Sequence, residues 1–306
     1  MDMIDYAIQG TYEEFSYNSK YVIYSKEHLT RTLYTTPVAR SRVNPKQWTE
    51  RGKSTDASSA YKSMLRTKKK VMEIALCNEF EWFVTLTFNP EVVDSFDYEL
   101  TSKKVSKWLN NVRTSFATDM KYLMVAEQHK TGRFHFHGLF ANTGSIEFVD
   151  SGTMSHPKVK RPRRVSKKLQ GKYLLDGWSI VYNMPNYKFG WSTATKVKNS
   201  QAVSYYLAKY ITKDLCQVSQ NKKRYWASRN LEKPIVIKEL IYKHSCDEIV
   251  NSLDCDIMVK TTHFTGKDGI VFRKSYTFDS EPSSDVLDIR NLMEHVPSTQ
   301  IEILGY

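Results

Sequence analysis

The chain has 306 residues, with 45 Lys and Arg against 33 Asp and Glu, so its formal charge is +12. The last 28 residues hold six acidic side chains and one Arg, which leaves +17 on the rest. A body this basic attracts polyanions, either nucleic acid or an anionic membrane surface. Its apolar runs fall short of the roughly 18 residues of a membrane-spanning helix, and its acidic start is unlike a signal peptide. We therefore expect a cytoplasmic protein with no membrane partner.

The sequence pattern divides the chain into three parts. Residues 1–58 are polar and interrupted by prolines, and they predict an N-terminal arm or irregular cap. Residues 59–228 are strongly periodic and predict the main domain, with a loosely patterned basic insertion over 141–189. Residues 229–306 predict a C-terminal extension that ends in an acidic helix and tail.

Helix-like and strand-like segments alternate along the chain. Helical spacing of apolar residues predicts helices over 59–78, 101–116 and 200–215. Runs of β-branched and aromatic residues predict strands over 82–88, 122–127, 133–140, 191–197, 235–237 and 270–278. The second and third of these strands flank a tight turn that contains Gly132, which is typical of a hairpin. The expected fold is therefore α+β, with an antiparallel sheet flanked by helices.

Two histidines, His135 and His137, lie on the second strand of the hairpin. Because side chains alternate between the two faces of a strand, both imidazoles point to one side and the neighbouring phenylalanines to the other. Two imidazoles at this spacing can chelate one divalent ion. The plain alternative is a buried pair that is only hydrogen-bonded.

The pairing of the hairpin suggests a third ligand. It brings Glu127 alongside the histidines, while His129, on the same face as Glu127, is a competing ligand that we favour less. A site of mixed nitrogen and oxygen donors suits Mn²⁺ or Zn²⁺ better than tightly bound Mg²⁺, so the pattern leaves the metal open.

The predicted helix over 200–215 has a polar arc formed by Tyr206, Lys209, Tyr210 and Lys213. The two tyrosines are four residues apart, which places their Cβ atoms roughly 5–6 Å from each other on one face. A phenol has a pKa of about 10, so adjacent ammonium groups would favour the phenolate and neutralise charge during attack on phosphorus. Two such tyrosines allow two successive transfers. The simpler alternative is that the tyrosines pack and the lysines are solvated.

Three segments, in order, resemble motifs of the HUH endonucleases, specifically the two-tyrosine replication initiators of small single-stranded DNA phages and related rolling-circle elements. FVTLTF at 83–88 resembles the first motif, GRFHFHG at 132–138 the metal-binding motif, and YLAKYITK at 206–213 the third motif. Phe134 stands where the family usually has proline. Segments 187–191 and 224–228 are also similar to family sequences, so the resemblance covers about 82–228.

The resemblance implies a sheet of about five antiparallel strands, with the histidines on a central strand and the tyrosine helix alongside. It implies that Tyr206 and Tyr210 are nucleophiles assisted by Lys209 and Lys213. It also implies that His135, His137 and Glu127 bind Mg²⁺ or Mn²⁺. The implied activity is nicking and religation of single-stranded DNA at a replication origin, through a covalent 5′-phosphotyrosine, for rolling-circle replication.

The insertion contains a basic cluster, which we expect to be a flexible loop that contacts DNA phosphates. A solvated surface loop is the alternative. Its members are Lys158, Lys160, Arg161, Arg163, Arg164, Lys167 and Lys168. Exposed aromatic residues such as Trp178, Tyr182 and Tyr187 could stack unpaired bases, although packing in the core is the commoner role for such side chains.

Two other functions fit parts of the sequence. A DNA-binding regulator with a structural metal would bind without cleaving, and a cupin-like metalloenzyme would use the histidine pair but leave the tyrosine helix without a role. A relaxase or a single-strand transposase is also compatible with the resemblance. The chain lacks the GxxxxGK[ST] motif of nucleotide-driven motors, so an initiator of this kind would need a host helicase and polymerase as partners.

Overall fold

The computed structural model describes residues 14–25, 28–41, 57–219, 222–239, 257–266 and 269–278. Its elements, in chain order, are β1 (Glu14–Ser25), β2 (His28–Ser41), α1 (Ala57–Leu76), β3 (Trp82–Phe88), α2 (Tyr98–Phe116), β4 (Lys121–Gln128), β5 (Phe134–Ala141), β6 (Val149–Ser155), β7 (Arg163–Arg164), α3 (Lys167–Leu175), β8 (Ser179–Asn183), β9 (Gly190–Lys196), α4 (Ser200–Lys209), α5 (Lys213–Val218), β10 (Tyr225–Ala227), β11 (Ile235–Glu239), β12 (Ile257–Gly266) and β13 (Gly269–Phe278). The chain forms two compact units, one of residues 50–232 and one that combines 1–49 with 233–306. None of the described helices is long and apolar enough to cross a membrane.

The larger unit is built on one antiparallel sheet in the order β10-β4-β5-β3-β9-β8-β6-β7. The predicted α+β class, with helices flanking an antiparallel sheet, is confirmed. The expectation of about five strands matches the part from β10 to β9, but the sheet has eight strands. The additional three, β6, β7 and β8, all come from the insertion and join β9 through the single pair Tyr182 and Ala194.

The two faces of this sheet pack against different helices. One face presents Phe136 and Phe140 of β5 together with the buried residues of β3, and it packs against α2. There the ring of Trp108 lies 6.2 Å from Phe140, and the ring of Trp226 lies 5.2 Å from Phe136. Along β3 and β5 the residues on this face are mostly large and apolar, and they come together because every second side chain of a strand points to the same side. The opposite face carries the histidines.

The helices α1, α4 and α5 pack together, and α1 and α5 contact β4. Arg224 joins two of them to the segment before β10. Its guanidinium donates to Ser63 Oγ on α1 at 2.7 Å and to the Cys216 carbonyl on α5 at 3.2 Å. An arginine that is hydrogen-bonded to several elements in this way fixes their relative position more firmly than apolar packing alone.

The smaller unit is a five-stranded antiparallel sheet in the order β11-β1-β2-β13-β12. The irregular arm or cap expected over 1–58 is therefore wrong where the chain is described, since β1 and β2 form a hairpin and α1 begins at Ala57. These polar strands are stabilised by partners that are distant in sequence, which no local pattern reveals. The strands expected at 235–237 and 270–278 are confirmed, whereas the helix expected in the acidic tail lies outside the described residues.

The insertion is also more regular than its sequence indicated. Instead of a flexible loop, residues 141–189 form β6, β7, α3 and β8 around a small core of Met154, Val165 and Trp178. The strands are short, and the register between β6 and β8 shifts between Asp150 and Thr153. Such segments have weak local periodicity, so their strand character depends on pairing with the neighbouring strands.

Candidate tyrosine and histidine site

The histidine strand lies between two partners that align polar residues across the sheet. Glu127 on β4 is opposite His135 on β5, which is opposite Thr87 on β3, which in turn is opposite Trp191 on β9. In the next row of the same face, His137 is opposite Thr85. Because residues directly opposite in an antiparallel sheet project to the same side, these side chains share one face, as the spacing of the histidines predicted.

Each imidazole is oriented by a threonine of β3. His137 Nδ1 lies 3.0 Å from Thr85 Oγ1, and His135 Nδ1 lies 3.1 Å from Thr87 Oγ1. His137 Nε2 lies 2.6 Å from the Glu127 carboxylate. A hydrogen bond at one ring nitrogen sets the ring's orientation and leaves the other nitrogen directed towards the site. Thr85 and Thr87 are therefore positioning residues, which the sequence analysis did not single out.

The surroundings favour the charge states that metal ligands require. Burial lowers the pKa of His135, and the neighbouring His137 lowers it further. Burial acts to raise the pKa of Glu127, but the hydrogen bond with His137 and the nearby imidazoles outweigh it and hold the pKa below its ordinary value. A neutral imidazole and an ionised carboxylate are the forms that bind metal.

The donor set suits a divalent metal, although its present arrangement is a hydrogen-bonded one. Within the described ranges, no three His, Cys, Asp or Glu side chains are grouped as they would be around a metal ion. Glu127 is instead bonded to His137 Nε2, so metal binding would replace that hydrogen bond. Two imidazoles and a carboxylate from adjacent strands are nevertheless ligands that Mn²⁺ accepts. The competing ligand His129 has its ring 5.7 Å from that of His135, while its Nδ1 lies 3.1 Å from Thr131 Oγ1.

The two tyrosines lie beside the histidines in one continuous set of aromatic contacts. The ring of Tyr210 stacks on His137, with centroids 3.8 Å apart and planes 6° from parallel. The ring of Tyr206 meets Tyr210 edge-on at 5.3 Å and Phe83 at 5.4 Å. The tertiary structure thus brings together two motifs that are separated by about 70 residues in the sequence.

The two phenols differ in their surroundings. Tyr206 is 47% exposed, whereas Tyr210 is half-buried. Burial raises the pKa of Tyr210 well above its ordinary value, and the hydrogen bond with Tyr206 and the charge of Glu127 raise it further. Tyr206 is therefore the more accessible phenol, and Tyr210 is held in its neutral form.

The helix expected over 200–215 is interrupted after the tyrosines. Helix α4 ends at Lys209, Tyr210 is its C-cap, and α5 begins at Lys213 with Thr212 as its N-cap. The Thr212 hydroxyl accepts a hydrogen bond from the backbone N–H of Leu215 at 3.2 Å. Because Thr212 caps a new helix, the single continuous helix expected over 200–215 is wrong.

Of the two lysines in the motif, the structure describes the side chain of Lys209. Lys209 Nζ lies 6.0 Å from the centroid of the Tyr206 ring, within reach of a phosphate bound there. The side chain of Lys213 lies outside the described part of the chain, so its predicted role stays a prediction.

Replacing Thr212 with Ala is expected to lower the free energy of unfolding by about 1 kcal/mol, since the first turn of α5 loses its cap. Urea denaturation followed by tryptophan fluorescence measures the change. Thr114→Ala is the matched control, because that exposed threonine lies inside α2 and bonds only to its own helix at Asn110. Equal losses in the two variants would contradict the capping role.

The seven basic residues predicted to contact DNA are all exposed. Arg163 and Arg164 form β7, and Lys167 and Lys168 begin α3. Arg163 lies over the Trp178 ring at 5.6 Å. No contact among the described residues joins this cluster to the histidines or tyrosines, so it forms a surface of its own in the insertion part of the sheet.

The aromatic residues suggested for base stacking have mostly structural positions. Trp178 and Tyr187 are buried, and the half-buried Tyr182 packs edge-on against Trp82 at 5.2 Å. Trp191, which the sequence analysis placed only in a strand, is 60% exposed on the histidine face. No feature of the local sequence distinguished it from the tryptophans that the structure buries.

Comparison with known proteins adds one finding. Residues 81–215 match the model of a family described as Replication-associated protein ORF2. No curated protein and no solved structure is significantly similar to the chain. The matched segment contains the histidine strand, its threonine partners and both tyrosines. Residues 81–215, just under half of the chain, are thus similar to this family of replication-associated proteins. The match supports a rolling-circle replication initiator.

Proposed function

We propose that the chain is a metal-dependent endonuclease of the two-tyrosine HUH class, which nicks and religates single-stranded DNA at an origin. The observation that carries this proposal is the placement of Tyr210 on His137, with Tyr206 against Tyr210. A phosphate held by the histidine site would lie next to both phenols. Neither a purely DNA-binding regulator nor a cupin-like enzyme gives the tyrosine pair a role.

In the proposed reaction, the phenolic oxygen of one tyrosine attacks the scissile phosphorus. The phenol loses its proton, the bond from phosphorus to the 3′ oxygen breaks, and the 5′ phosphate becomes esterified to the tyrosine. The departing 3′ oxygen takes up a proton and becomes a 3′-hydroxyl, so the protons balance. The phosphodiester energy is retained in the phosphotyrosine, so attack by a 3′-hydroxyl can reseal the strand without another energy source. Lys209 contributes a positive charge near Tyr206, which offsets the negative charge that develops on the phosphate.

The ligands of the proposed metal are His135, His137 and Glu127, with Mg²⁺ or Mn²⁺ as the ion. When bound, such an ion polarises the phosphate oxygens and orients the scissile bond. Thr85 and Thr87 hold the two imidazoles at the orientation that this coordination needs.

The different surroundings of the tyrosines support an order of use. Tyr206 is exposed and lies near Lys209, so it is suited to the first cleavage. Tyr210 is half-buried and has a raised pKa, so it is suited to a later transfer, after the bound DNA has changed its surroundings. Two nucleophiles in contact allow one to hold a DNA end while the other attacks the new junction.

The exposed basic cluster of the insertion is proposed to grip the DNA backbone through its phosphates. Host helicase and polymerase are the proposed partners, since the chain itself has no recognisable motor motif.

Replacing Arg163 and Arg164 together with Ala is expected to weaken binding to single-stranded oligonucleotides of any sequence. The slope of log affinity against log salt should fall by roughly 0.7 for each phosphate that the variant no longer neutralises. Fluorescence anisotropy at several salt concentrations measures it. The matched control replaces Lys62 and Arg66, which are exposed on α1; a salt slope that changes equally in both double variants would assign the effect to net charge alone.

The whole proposal is tested with labelled single-stranded oligonucleotides that tile the chain's own gene and its flanks. Each is mixed with the purified protein and Mn²⁺ and run on a denaturing gel, with EDTA in parallel lanes. We expect a metal-dependent band of protein joined to the 5′-phosphate side of one oligonucleotide. Tight DNA binding without a covalent band on any oligonucleotide would overturn the nuclease and favour a regulator.

A further inference from the structure

Trp191 is unlike the other tryptophans whose burial the structure describes. It is 60% exposed, whereas the other four are 9% exposed or less, namely Trp82, Trp108, Trp178 and Trp226. Leaving an indole in water forgoes the free energy that burial of so large an apolar surface supplies. An isolated exposed apolar residue needs no explanation by itself, so its significance depends on where it lies.

Trp191 lies in line with the proposed active site. The row across the sheet runs from Glu127 through His135 and Thr87 to Trp191, one residue on each of four adjacent strands. Neighbouring strands are about 4.8 Å apart, so the backbone of Trp191 is roughly 10 Å from that of His135. Both side chains project from the same face. The indole therefore lies on the histidine face, two strands away from His135. If the scissile phosphate is bound at the histidines, this separation places the indole next to an adjoining nucleotide.

The backbone beneath Trp191 is held rigidly. β9 pairs with β3 along its whole length, from Trp82 opposite Lys196 to Phe88 opposite Gly190. A Cβ atom at Gly190 would lie 2.2 Å from the Thr87 carbonyl oxygen, so only glycine allows β9 to approach the end of β3 this closely. The strand thus presents the indole from a preorganised position, and little ordering is needed when a ligand binds.

The surface around the indole suits a strand of unpaired DNA. Thr193, the next residue on the same face of β9, is also exposed, and the exposed Tyr206 lies against Phe83 of β3. An aromatic ring beside a phosphate-binding site is the arrangement with which proteins bind single strands, since every base has a π face that can stack. A base-paired nucleotide is already stacked within its duplex, so such a ring selects unpaired DNA.

We propose that Trp191 is the stacking platform for an unpaired nucleobase next to the scissile phosphate, a role that rests on the proposed nuclease function and deepens it. The indole positions the strand so that the phosphate lies over the histidines and within reach of Tyr206. Trp191 is a positioning residue and takes no part in the chemistry.

The test measures equilibrium binding without cleavage, using the full chain, EDTA and the tiled single-stranded oligonucleotides. The ligand is the intact oligonucleotide that forms the covalent band when Mn²⁺ is present. Trp191→Ala should lower the affinity for it by about 5- to 150-fold, which corresponds to roughly 1–3 kcal/mol per stacked base. Trp191→Phe should retain most of it. Tyr205→Ala is the matched control, because Tyr205 is also an exposed aromatic, 47% accessible, and has no place in the proposed site. The urea midpoints of all three variants should equal that of the parent.

A scan of abasic nucleotides separates stacking from other effects. At one position beside the cleavage site, removal of the base should weaken binding to the parent protein. The same removal should not weaken binding to Trp191→Ala any further. The stacking role is overturned if the affinity losses from the abasic nucleotide and from Trp191→Ala add at every position. It is also overturned if Trp191→Ala binds as tightly as the parent. In both cases the proposed nuclease stands as long as the covalent band still forms. If no single-stranded oligonucleotide binds or forms the band, both proposals are overturned.

Discussion

Replacing Tyr206 with Phe is expected to abolish the covalent protein–DNA band on a single-stranded origin oligonucleotide. The phenyl ring keeps the contacts with Tyr210 and Phe83, so the fold is retained while the attacking oxygen is removed. Loss of a nucleophile removes about four orders of magnitude or more of rate. Single-turnover cleavage on a denaturing gel measures it.

Tyr210→Phe is the matched control for this variant. It keeps the stack on His137 and removes only the half-buried hydroxyl. We expect first cleavage to continue at a rate near that of the parent, and the transfer of the strand to a second, preformed junction to be abolished. If Tyr210→Phe fails to cleave while Tyr206→Phe still cleaves, the proposed order of the two tyrosines is reversed. Retention of the band in the double variant would overturn the tyrosine mechanism.

Replacing His135 with Ala is expected to eliminate the dependence of cleavage on Mn²⁺, together with nearly all of the activity. His135 has no ring contact with either tyrosine, so its removal tests the metal site without disturbing the stack of Tyr210 on His137. Isothermal titration with Mn²⁺ should show loss of the site. A variant that binds Mn²⁺ as the parent does would exclude this residue as a ligand.

Thr87→Val is expected to weaken the metal site that His135→Ala should remove. Valine keeps the shape of threonine but removes the hydroxyl that lies 3.1 Å from His135 Nδ1. Because such outer hydrogen bonds orient the ligand, we expect Mn²⁺ affinity to fall by about 10- to 100-fold, with activity restored at high Mn²⁺. Unchanged affinity would mean that the histidine needs no orienting partner.

Much of the larger unit, residues 50–232, was predictable from local sequence. β3, β5 and α2 have large apolar residues at regular periods, and these elements appear within a few residues of the predicted bounds. The same period placed His135 and His137 on one face, because alternation along a strand is a property of the backbone and needs no tertiary information. The expected hairpin pairing then brought Glu127 alongside them.

Other parts were not predictable, because weak local patterns acquired structure through distant partners. β1 and β2 pair with each other and with strands some 200 residues further along the chain. In the insertion, β6, β7 and β8 depend on one another and on β9. The break in the tyrosine helix did have a local signal in Thr212, but the apolar spacing that continues past it outweighed that signal in the prediction.

The sequence by itself determined which residues can do chemistry and on which face of each element they lie, since both follow from residue type and backbone period. Only the tertiary structure decided that Tyr210 stacks on His137, that Tyr206 is the exposed phenol and that Trp191 stands beside the histidines. Those facts depend on the order of the strands in the sheet and on where a helix packs across it. Both are set by contacts between segments far apart in the chain, for which local periodicity carries no information.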